Sequence, residues 1–313
     1  EIIFDNKEMD DFIIIKSDRY PTYHFANVID DYLMNISHVM RAEEWLPSFP
    51  KHVNIYNSLN WKMPIFVHLP MILAPDKTKL SKRHGATSVE EFKQAGYLNS
   101  AMFNFLVLLG WALDDKTELF TIEELIKVFD INKISKSPAI FNKEKLNWFN
   151  GRYILNLTHE DFAKEINNYF KQFLDSNKYK AIQSYDINDI SVMIKQRCKT
   201  LNDAIMLTEF LYLEPKFESK SEIQIMCDNP EQCQTILTNS IDSLNDIQEF
   251  TTENIESTLK SLMTTLEVKP KHLLGTLRIV ITNQKISPPI FDCLYILGKK
   301  ESIKRIQSGI DYL

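Results

Sequence analysis

The sequence predicts two fold classes in succession, a short α/β segment followed by an all-α remainder, so that the protein is mostly α overall. Between residues 12 and 73, short apolar runs alternate with helical patterns, as in half of a doubly wound parallel sheet. After residue 158, amphipathic helical periodicity continues almost without interruption. These patterns divide the chain into predicted domains at 1–85, 86–158 and 159–313, the last with a hinge near 214–222.

The length and composition are those of an ordinary globular protein with room for two or three domains. Of its 313 residues, 44% are apolar and 25% are charged, and the formal net charge is −6. This charge disfavours nonspecific nucleic-acid binding but allows a specific nucleic-acid partner, because local patches set the field at an interface. No apolar run reaches the roughly 20 residues of a membrane span. No signal-peptide pattern opens the chain either.

Cysteine usage is typical of a cytoplasmic protein, and an organellar matrix is compatible with it too. The cysteines lie apart, with no C-x-x-C pair, so we expect neither a disulfide framework nor a zinc site. Reduced and mostly buried thiols are predicted instead, at Cys198, Cys227, Cys233 and Cys293.

The α/β segment is predicted to contain three strands and the helices that connect them. Apolar runs of strand length occupy 12–15, 36–41 and 65–69. Pro21 would break a helix that included the residues before it, so one helix is predicted to begin at Thr22. A second helix is predicted over 47–60. Ligands of parallel sheets bind beyond the carboxyl ends of the strands, so Arg41, at the end of the second strand, is suited to pair with a carboxylate.

Helix starts in the remainder are marked by a hydroxyl residue with polar residues after it, the pattern of a side-chain cap. These signals occur at 87–91, 121–125, 158–161 and 251–254. Long helices are predicted over 102–110, 190–212 and 252–265. In the packing alternative for 286–291, the pair Pro288-Pro289 begins the final helix, since proline is favoured in a first helical turn.

A polar loop at 76–85 follows the third strand. Four of seven successive residues are cations, at Lys77, Lys79, Lys82 and Arg83, and the loop also contains Ser81 and Gly85. Such a loop suits an anionic ligand, because cations balance phosphate charge, backbone N–H groups bind oxygens and glycine permits close approach. On charge alone, a solvated surface turn is the alternative.

Residues 79–83, Lys-Leu-Ser-Lys-Arg, resemble the Lys-Met-Ser-Lys-Ser type signature of class I aminoacyl-tRNA synthetases. Segments 17–31, 38–45 and 135–154 resemble bacterial-type glutamyl-tRNA synthetases in that family's order, and the resemblance covers essentially the whole chain. No His-x-Gly-His, the other class I signature, occurs in the sequence. In the family this motif lies in the first half of the nucleotide-binding fold. We therefore interpret the chain as the C-terminal part of a longer enzyme, inactive as a ligase by itself.

The resemblance implies a partial Rossmann-type class I catalytic domain at 1–85, a helical stem-contact domain at 86–158 and an all-α anticodon-binding domain at 159–313. The implied activity is that of a glutamate–tRNA ligase, in which ATP with Mg²⁺ activates L-glutamate to glutamyl-adenylate. The amino acid then passes to the 3′ end of tRNA(Glu), and tRNA(Gln) is left open as a second acceptor. A monomer without a membrane partner and without a metal site of its own is expected.

By this resemblance, Tyr23, Asn27 and Arg41 bind glutamate, with Arg41 on its side-chain carboxylate. From the residues alone, Tyr23 and Asn27 lie four apart on one helix face, where satisfied polar groups of the core are the alternative. Glu44 and Trp45 resemble residues near the adenosine of ATP, although a tryptophan there also suits a core position.

The loop contains the residues that the resemblance assigns to catalysis, which are Lys79, Ser81, Lys82 and Arg83. Lys79 and Lys82 would neutralise the charge of the leaving pyrophosphate, and Ser81 would form a hydrogen bond to it. Lys82 and Leu80 are also assigned to ATP binding. No side chain needs to be a nucleophile, because the glutamate carboxylate supplies that chemistry.

Two regions resemble the tRNA-contacting parts of the family. Lys145 and Arg152 belong to a basic stretch, for which a solvated helix face is the alternative. The implied anticodon contacts are Arg278, Ser287, Pro288 and Phe291. Phe291 could instead pack beneath the final helix. Asn283 stands where the family usually has a glycine, and asparagine tolerates the left-handed backbone of such a turn.

Three alternatives share part of this pattern. A glutaminyl-tRNA synthetase has the same catalytic half but ends in β-barrels, which the helical periodicity after residue 158 disfavours. A tRNA-modifying relative ends after the connector, whereas this chain continues beyond it. A non-catalytic RNA-binding or scaffold protein would explain the missing His-x-Gly-His but leaves the loop at 76–85 without a function.

Overall fold

Helices dominate the structure, a computed structural model that describes residues 3–5, 7, 9–81, 83, 85 and 88–313. Its strands are β1 (His38–Ala42), β2 (Ile65–Leu69), β3 (Ile72–Leu73) and β4 (Ala139–Ile140). Its α-helices are α1 (Tyr23–Leu33), α2 (Phe49–Ser58), α3 (Val89–Gln94), α4 (Asn99–Val107), α5 (Ile122–Val128), α6 (Lys143–Asn156), α7 (His159–Phe173), α8 (Ser176–Ile182), α9 (Ile187–Ile194), α10 (Leu201–Leu207), α11 (Lys220–Gln224), α12 (Pro230–Asn245), α13 (Thr252–Thr265), α14 (Pro270–Thr282), α15 (Ile290–Leu297) and α16 (Lys299–Tyr312).

The chain forms two compact units. Unit 1 comprises Glu1–Thr87 and Phe103–Lys143, and unit 2 comprises Ser88–Met102 and Glu144–Leu313. The domain boundaries predicted at residues 85 and 158, and the hinge near 214–222, stay predictions.

A parallel pair of strands lies at the centre of the α/β part of unit 1, in agreement with the predicted class. β1 and β2 pair along their whole length, with Arg41 directly beside His68. The chain between them forms a 3-10 turn (Glu43–Ser48) and α2, the kind of crossover that parallel strands require. β3 and β4 form a second, shorter parallel pair. The buried apolar residues that join α1 to α2 are Val28, Ile55 and Tyr56.

The strand predicted at 12–15 is wrong. Ile13 is 69% exposed, and the pairing found in the segment with other described residues is a single antiparallel bridge made by Ile15. The segment folds back on itself, because the Thr22 amide donates to the Ile14 carbonyl oxygen at 2.8 Å. Backbone groups that find partners in a local turn need no neighbouring strand.

Side-chain caps begin the helices that the hydroxyl signals predicted. Ser88 and Thr121 each accept a hydrogen bond from the amide three residues on, and the glutamate there bonds back to the amide of the cap. Thr158 and Thr251 accept the corresponding bond at the starts of α7 and α13. Each such cap is worth about 1 kcal/mol, because it satisfies amides that a helix start leaves without partners.

Unit 2 packs its helices around an apolar core, but two details of its predicted helices are wrong. The single helix predicted over 190–212 is interrupted at Cys198, where the backbone is extended (φ −84°, ψ 123°). A new helix, α10, begins there because Asp203 accepts from the Thr200 amide at 2.8 Å. The helix that begins after Pro289 is α15, and α16 follows it as the final helix.

A buried cation ties the end of unit 2 to its core. Arg305 of α16 is 5% exposed, and its Nη1 donates to the carbonyl oxygens of Phe210 and Ile281 at 2.8 Å each. Its Nε donates to Glu301 at 2.9 Å. The carbonyl of Ile281 lies in the last turn of α14, where carbonyls have no partner within the helix. Arg305 of α16 therefore supplies a hydrogen-bond donor to the C-terminal end of α14.

The cysteines are free thiols, and all but Cys227 are buried, as the sequence predicted. Within the described part of the chain, no helix combines the length and apolar character needed to cross a membrane.

Candidate active site

An arginine with an unsatisfied buried nitrogen lies near the end of β1. Arg41 donates from Nε to His68 Nε2 at 3.3 Å, and its Nη1 lies 3.5 Å from His52 Nδ1. Its Nη2 is buried and has no hydrogen-bond partner among the described residues. A buried donor without a partner costs about 1–3 kcal/mol, and a charged one costs more. A ligand that accepts a hydrogen bond from Nη2 would therefore remove this cost and stabilise the site.

Aromatic rings surround the Arg41 guanidinium. Its Cζ lies 5.1 Å from the ring centre of Phe66 and 6.0 Å from those of Trp45 and Phe49. These rings attract the cation through their π faces. Tyr23 of α1 joins the group, with its ring centre 5.4 Å from that of Trp45. The structure thus brings three predicted site residues, Tyr23, Trp45 and Arg41, into one cluster.

Histidines extend this cluster, and sequence analysis did not identify them. His52 is fully buried, and its Nε2 lies 3.0 Å from His24 Nδ1. Arginine can only donate, so the His52 Nδ1 that faces Arg41 is an acceptor, and the proton of neutral His52 is on Nε2. That proton is donated to His24. The direction of donation therefore runs from Arg41 through His52 to His24.

Burial and nearby positive charge keep these imidazoles neutral. Burial lowers the pKa of His52 to about 4, and the Arg41 and His24 charges act in the same direction. The pKa of His24 is also lowered, by burial and then by Lys51 and Arg41, and the pKa of His68 is lowered by burial and then by Arg41. Burial lowers the pKa of Arg41 itself, but a guanidinium remains protonated throughout the physiological range.

The neutral state of His52 predicts a pH-dependent stability. Its pKa in the folded protein, about 4, lies below the ordinary value of 6.5. The contribution of neutral His52 to the free energy of unfolding is therefore complete above pH 6.5, and it is lost as the pH falls from 6.5 towards 4. Between pH 7 and pH 5, we expect this group to lower the free energy of unfolding by about 2 kcal/mol. Urea unfolding of wild type and His52→Gln at both pH values measures it, and an equal loss in the variant would contradict the prediction.

The first half of the polar loop is a tight turn. The Ala74 amide donates to the Thr78 carbonyl oxygen at 2.8 Å, and Lys77 has a left-handed backbone with φ 63°. Asp76 accepts from the amide and the hydroxyl of Thr78 at 3.0 and 2.7 Å. This closed turn sets the position of Lys79, which follows it and forms an antiparallel bridge with Leu73 of β3.

Lys79 forms an ion pair with Glu44, with 2.5 Å between Nζ and Oε2. Both side chains are about half exposed, so the pair contributes at most about 1 kcal/mol to stability. Lys79, Glu44 and Leu80 line a pocket of about 310 Å³ beside Pro70. The structure thus joins two predicted ATP-binding residues and one predicted catalytic lysine.

The remaining loop residues are only partly placed. Lys82, predicted for catalysis and for ATP binding, lies outside the described residues. Ser81 is half-buried, and Arg83 is exposed, with its Nη2 donating to Thr78 Oγ1 at 3.2 Å. Gly85 has φ 106°, a conformation that residues with a side chain rarely adopt.

The Arg41 cluster and the pocket lie on opposite faces of the strand pair. Side chains alternate along a strand, so Arg41 contacts the histidines while Ala42 lines the pocket. In the turn after β1, Glu44 reaches the pocket and Trp45 reaches Arg41. Both groups adjoin the carboxyl end of β1, where parallel sheets bind their ligands. Asn27 is half-buried on α1, and no described hydrogen bond joins it to either group.

The predicted stem contacts share one exposed face of α6. Lys145 and Arg152 are both exposed and lie seven positions apart, so they project from the same side of the helix. Trp148, 49% exposed, lies between them on that side. Sequence analysis missed it, although its spacing from the two cations could have identified it. This arrangement suits RNA, because an indole can stack on a base while the cations bind phosphates.

The predicted anticodon residues are largely enclosed. Arg278 Nε donates to Ser287 Oγ at 3.1 Å, and both Ser287 and Pro288 are buried. Phe291 is half-buried and packs against the core of unit 2, as the packing alternative expected. The tRNA contacts of these residues stay predictions. Asn283, exposed in the turn before them, has the expected left-handed backbone with φ 55°.

Metal-binding side chains do not cluster among the residues that the structure describes. In the ranges described, no three His, Cys, Asp or Glu residues lie close enough together to hold an ion. A magnesium ion bound to ATP needs no such cluster, since phosphate oxygens and water supply most of its ligands.

Comparisons with known proteins match both halves of the chain. Residues 1–148 match the family described as tRNA synthetases class I (E and Q), catalytic domain, and residues 161–310 match the anticodon binding domain. A glutamate–tRNA ligase of Dehalococcoides mccartyi is 44% identical over 99% of this chain and 64% of its own length. Glutamate–tRNA ligase 2 of Caldicellulosiruptor saccharolyticus is 38% identical over 98% of this chain and 63% of its own length.

Solved structures show the same likeness. A glutamate tRNA ligase from Elizabethkingia meningosepticum, crystallised in complex with its amino acid, is 30% identical with a TM-score of 0.80, over 98% of this chain and 63% of that one. The glutamate–tRNA synthetase of Elizabethkingia anophelis gives a TM-score of 0.73 at 29% identity. The chain therefore spans less than two thirds of these relatives. The family resemblance and the fold class found in the sequence are confirmed.

Proposed function

This chain belongs to the class I tRNA synthetases of the glutamate and glutamine type, and we propose that in the full-length protein it activates L-glutamate with MgATP and loads it onto tRNA(Glu). The observation that supports glutamate as the amino acid is the buried Nη2 of Arg41, which has no hydrogen-bond partner among the described residues. A carboxylate suits a guanidinium best, because it accepts charge-assisted hydrogen bonds from two nitrogens. The use of tRNA(Gln), a monomeric state and a cytoplasmic or organellar location stay predictions.

The proposed reaction has two steps. First, an oxygen of the glutamate α-carboxylate attacks the α-phosphorus of ATP, the bond to the β-phosphate oxygen breaks, and pyrophosphate leaves. Second, a hydroxyl of the terminal tRNA ribose attacks the carbonyl carbon of glutamyl-adenylate, loses its proton, and AMP leaves as the ester forms. The protein contributes position and charge stabilisation, and no side chain becomes bonded to a substrate.

Each part of the site has a role in this proposal. Arg41 binds the side-chain carboxylate of glutamate, with Tyr23 beside it. The pocket lined by Glu44 and Leu80 receives the adenosine of ATP, since its largely apolar wall suits a base. Lys79 exchanges its ion pair with Glu44 for the phosphates of ATP, because one ammonium cannot neutralise both groups at once.

Exchange of labelled pyrophosphate into ATP by the full-length protein tests this function, with tRNA(Glu) present. Exchange that requires glutamate, and that glutamine supports far more weakly, is the expected result. Exchange that is absent, or that does not depend on glutamate, would overturn the proposal and leave a tRNA-binding protein without ligase activity.

Glu44→Gln is expected to raise the KM for ATP about tenfold. The variant would lose the charge of a carboxylate that accepts a hydrogen bond from the adenosine, and one such charge-assisted bond is worth about 1.5–3 kcal/mol. The KM for glutamate and the free energy of unfolding should change little, since the Glu44–Lys79 pair is half exposed. Steady-state exchange kinetics measure both constants. Glu43→Gln, which removes the same charge one residue away, is the control. A lower KM for ATP would mean that Glu44 only restrains Lys79 and does not bind the nucleotide.

A further inference from the structure

The Arg41 guanidinium is held by two imidazoles and by no carboxylate among the described residues. His68 accepts from Nε at 3.3 Å, and His52 Nδ1 lies 3.5 Å from Nη1. Tyr23 and Asp31 act on Arg41 through space, and no described ion pair joins either of them to it. Arg41 is half-buried and its Nη2 is buried, and charged groups are rarely buried without a partner of opposite charge. An arginine positioned only by neutral acceptors therefore calls for an explanation.

We propose that His52 and His68 are positioning residues that make Arg41 select a carboxylate over a carboxamide, and thus glutamate over glutamine. This inference rests on the proposed function. Neutral acceptors orient the guanidinium without cancelling its charge, so the positive charge of Arg41 stays available for a ligand. A carboxylate neutralises that charge and a carboxamide does not. With an acidic partner on Arg41, the site would be neutral and the two ligands would differ far less in affinity.

Each imidazole faces a different N–H group of the guanidinium. Arginine has five N–H donors in one rigid plane. His68 takes the donor on Nε, and it is held beside Arg41 by the register of β1 and β2. His52, fully buried on α2, faces one donor on Nη1. The edge that contains Nη2 is left for the ligand, and Nη2 is the atom that has no described partner.

The cluster also maintains its own charge state. Arg41 disfavours protonation of both histidines, because like charges repel in a partly buried site. His24 and Lys51 also act on the cluster and add no negative charge, whereas Tyr23 and Asp31 act on Arg41 in the opposite direction. His52 and His68 therefore remain acceptors, and the positive charge remains on Arg41, where the ligand binds.

Three variants of His68 in the full-length protein test the inference. His68→Gln keeps a neutral acceptor, His68→Leu removes it, and His68→Glu places a negative charge beside Arg41. In pyrophosphate exchange with tRNA(Glu) present, His68→Glu is expected to raise the KM for glutamate about 100-fold and to reduce the preference for glutamate over glutamine by a similar factor. His68→Leu should raise the KM for glutamate about tenfold, and His68→Gln should stay within about threefold of wild type. The KM for ATP should not change in any of them.

An unchanged preference for glutamate in His68→Glu would overturn the inference. Equal effects on glutamate and ATP would do so too, because a merely structural histidine affects both substrates alike. Where circular dichroism shows that His68→Glu is unfolded, the comparison of His68→Leu with His68→Gln decides, and equal KM values for glutamate would refute the role. Wild-type protein without glutamate-dependent exchange would instead refute the proposed function itself.

Discussion

Replacement of Arg41 by alanine is expected to raise the KM for glutamate by about 100- to 1,000-fold and to leave the KM for ATP within about threefold of wild type. Truncating one partner of a buried, hydrogen-bonded charge pair costs about 2–5 kcal/mol, largely because the other charge is left without a partner. In the variant, the glutamate carboxylate would face two neutral imidazoles and several aromatic rings. The variant would lack the guanidinium charge at that place.

Arg41→Lys is the matched control for this prediction. Lysine keeps the charge but has no planar fork, so it cannot satisfy His52, His68 and a carboxylate together. We expect a KM for glutamate between those of wild type and Arg41→Ala, measured by pyrophosphate exchange at saturating ATP. Equal losses for glutamate and ATP in Arg41→Ala would identify Arg41 as a structural residue.

Replacement of Lys82 by alanine is expected to lower the rate of glutamyl-adenylate formation by about 100- to 1,000-fold, the loss typical for one group that stabilises developing charge. The leaving pyrophosphate gains negative charge in the transition state, so the lysine acts more strongly there than on bound ATP. The affinity for tRNA should stay within about twofold. Single-turnover formation of the adenylate and titration of tRNA(Glu) measure the two quantities.

Lys77→Ala provides the control for Lys82→Ala. Lys77 has the same charge and lies in the same loop, but it is exposed at the closed turn that precedes Lys79. We expect its adenylate formation to stay within about threefold of wild type. Normal pyrophosphate exchange in Lys82→Ala would refute the assignment of Lys82. An equal loss in both variants would show that the loop acts only through its summed charge.

Local features of the fold could be predicted because their causes lie within a few residues. The caps at Ser88 and Thr121 depend on a hydroxyl and on a glutamate three positions later. The left-handed turn at Asn283 depends on one residue type. The segment at 12–15 shows the limit of such reasoning, since an apolar run indicates a strand only where a partner strand lies beside it.

The candidate site could be predicted only in part. Tyr23, Arg41 and Trp45 were identified through the family resemblance, and the structure brings them together. His52 and His68 gave no signal, since a single histidine in an apolar pattern indicates nothing about its neighbours. Their contacts with Arg41 join residues that lie 11 and 27 positions apart in the sequence.

By itself, the sequence determined the family, the change from α/β to all-α structure, most helix starts and the cationic loop, since periodicity, caps and motif residues act over short distances. Only the tertiary structure decided that Arg41 is held by neutral histidines and that Lys79 pairs with Glu44. The register of β1 with β2 and the packing of α1 on α2 bring the histidines to Arg41, and the turn after β3 places Lys79. Whether the charge of a guanidinium is available to a ligand depends on which side chains contact it. Packing between elements that are distant in the sequence determines those contacts.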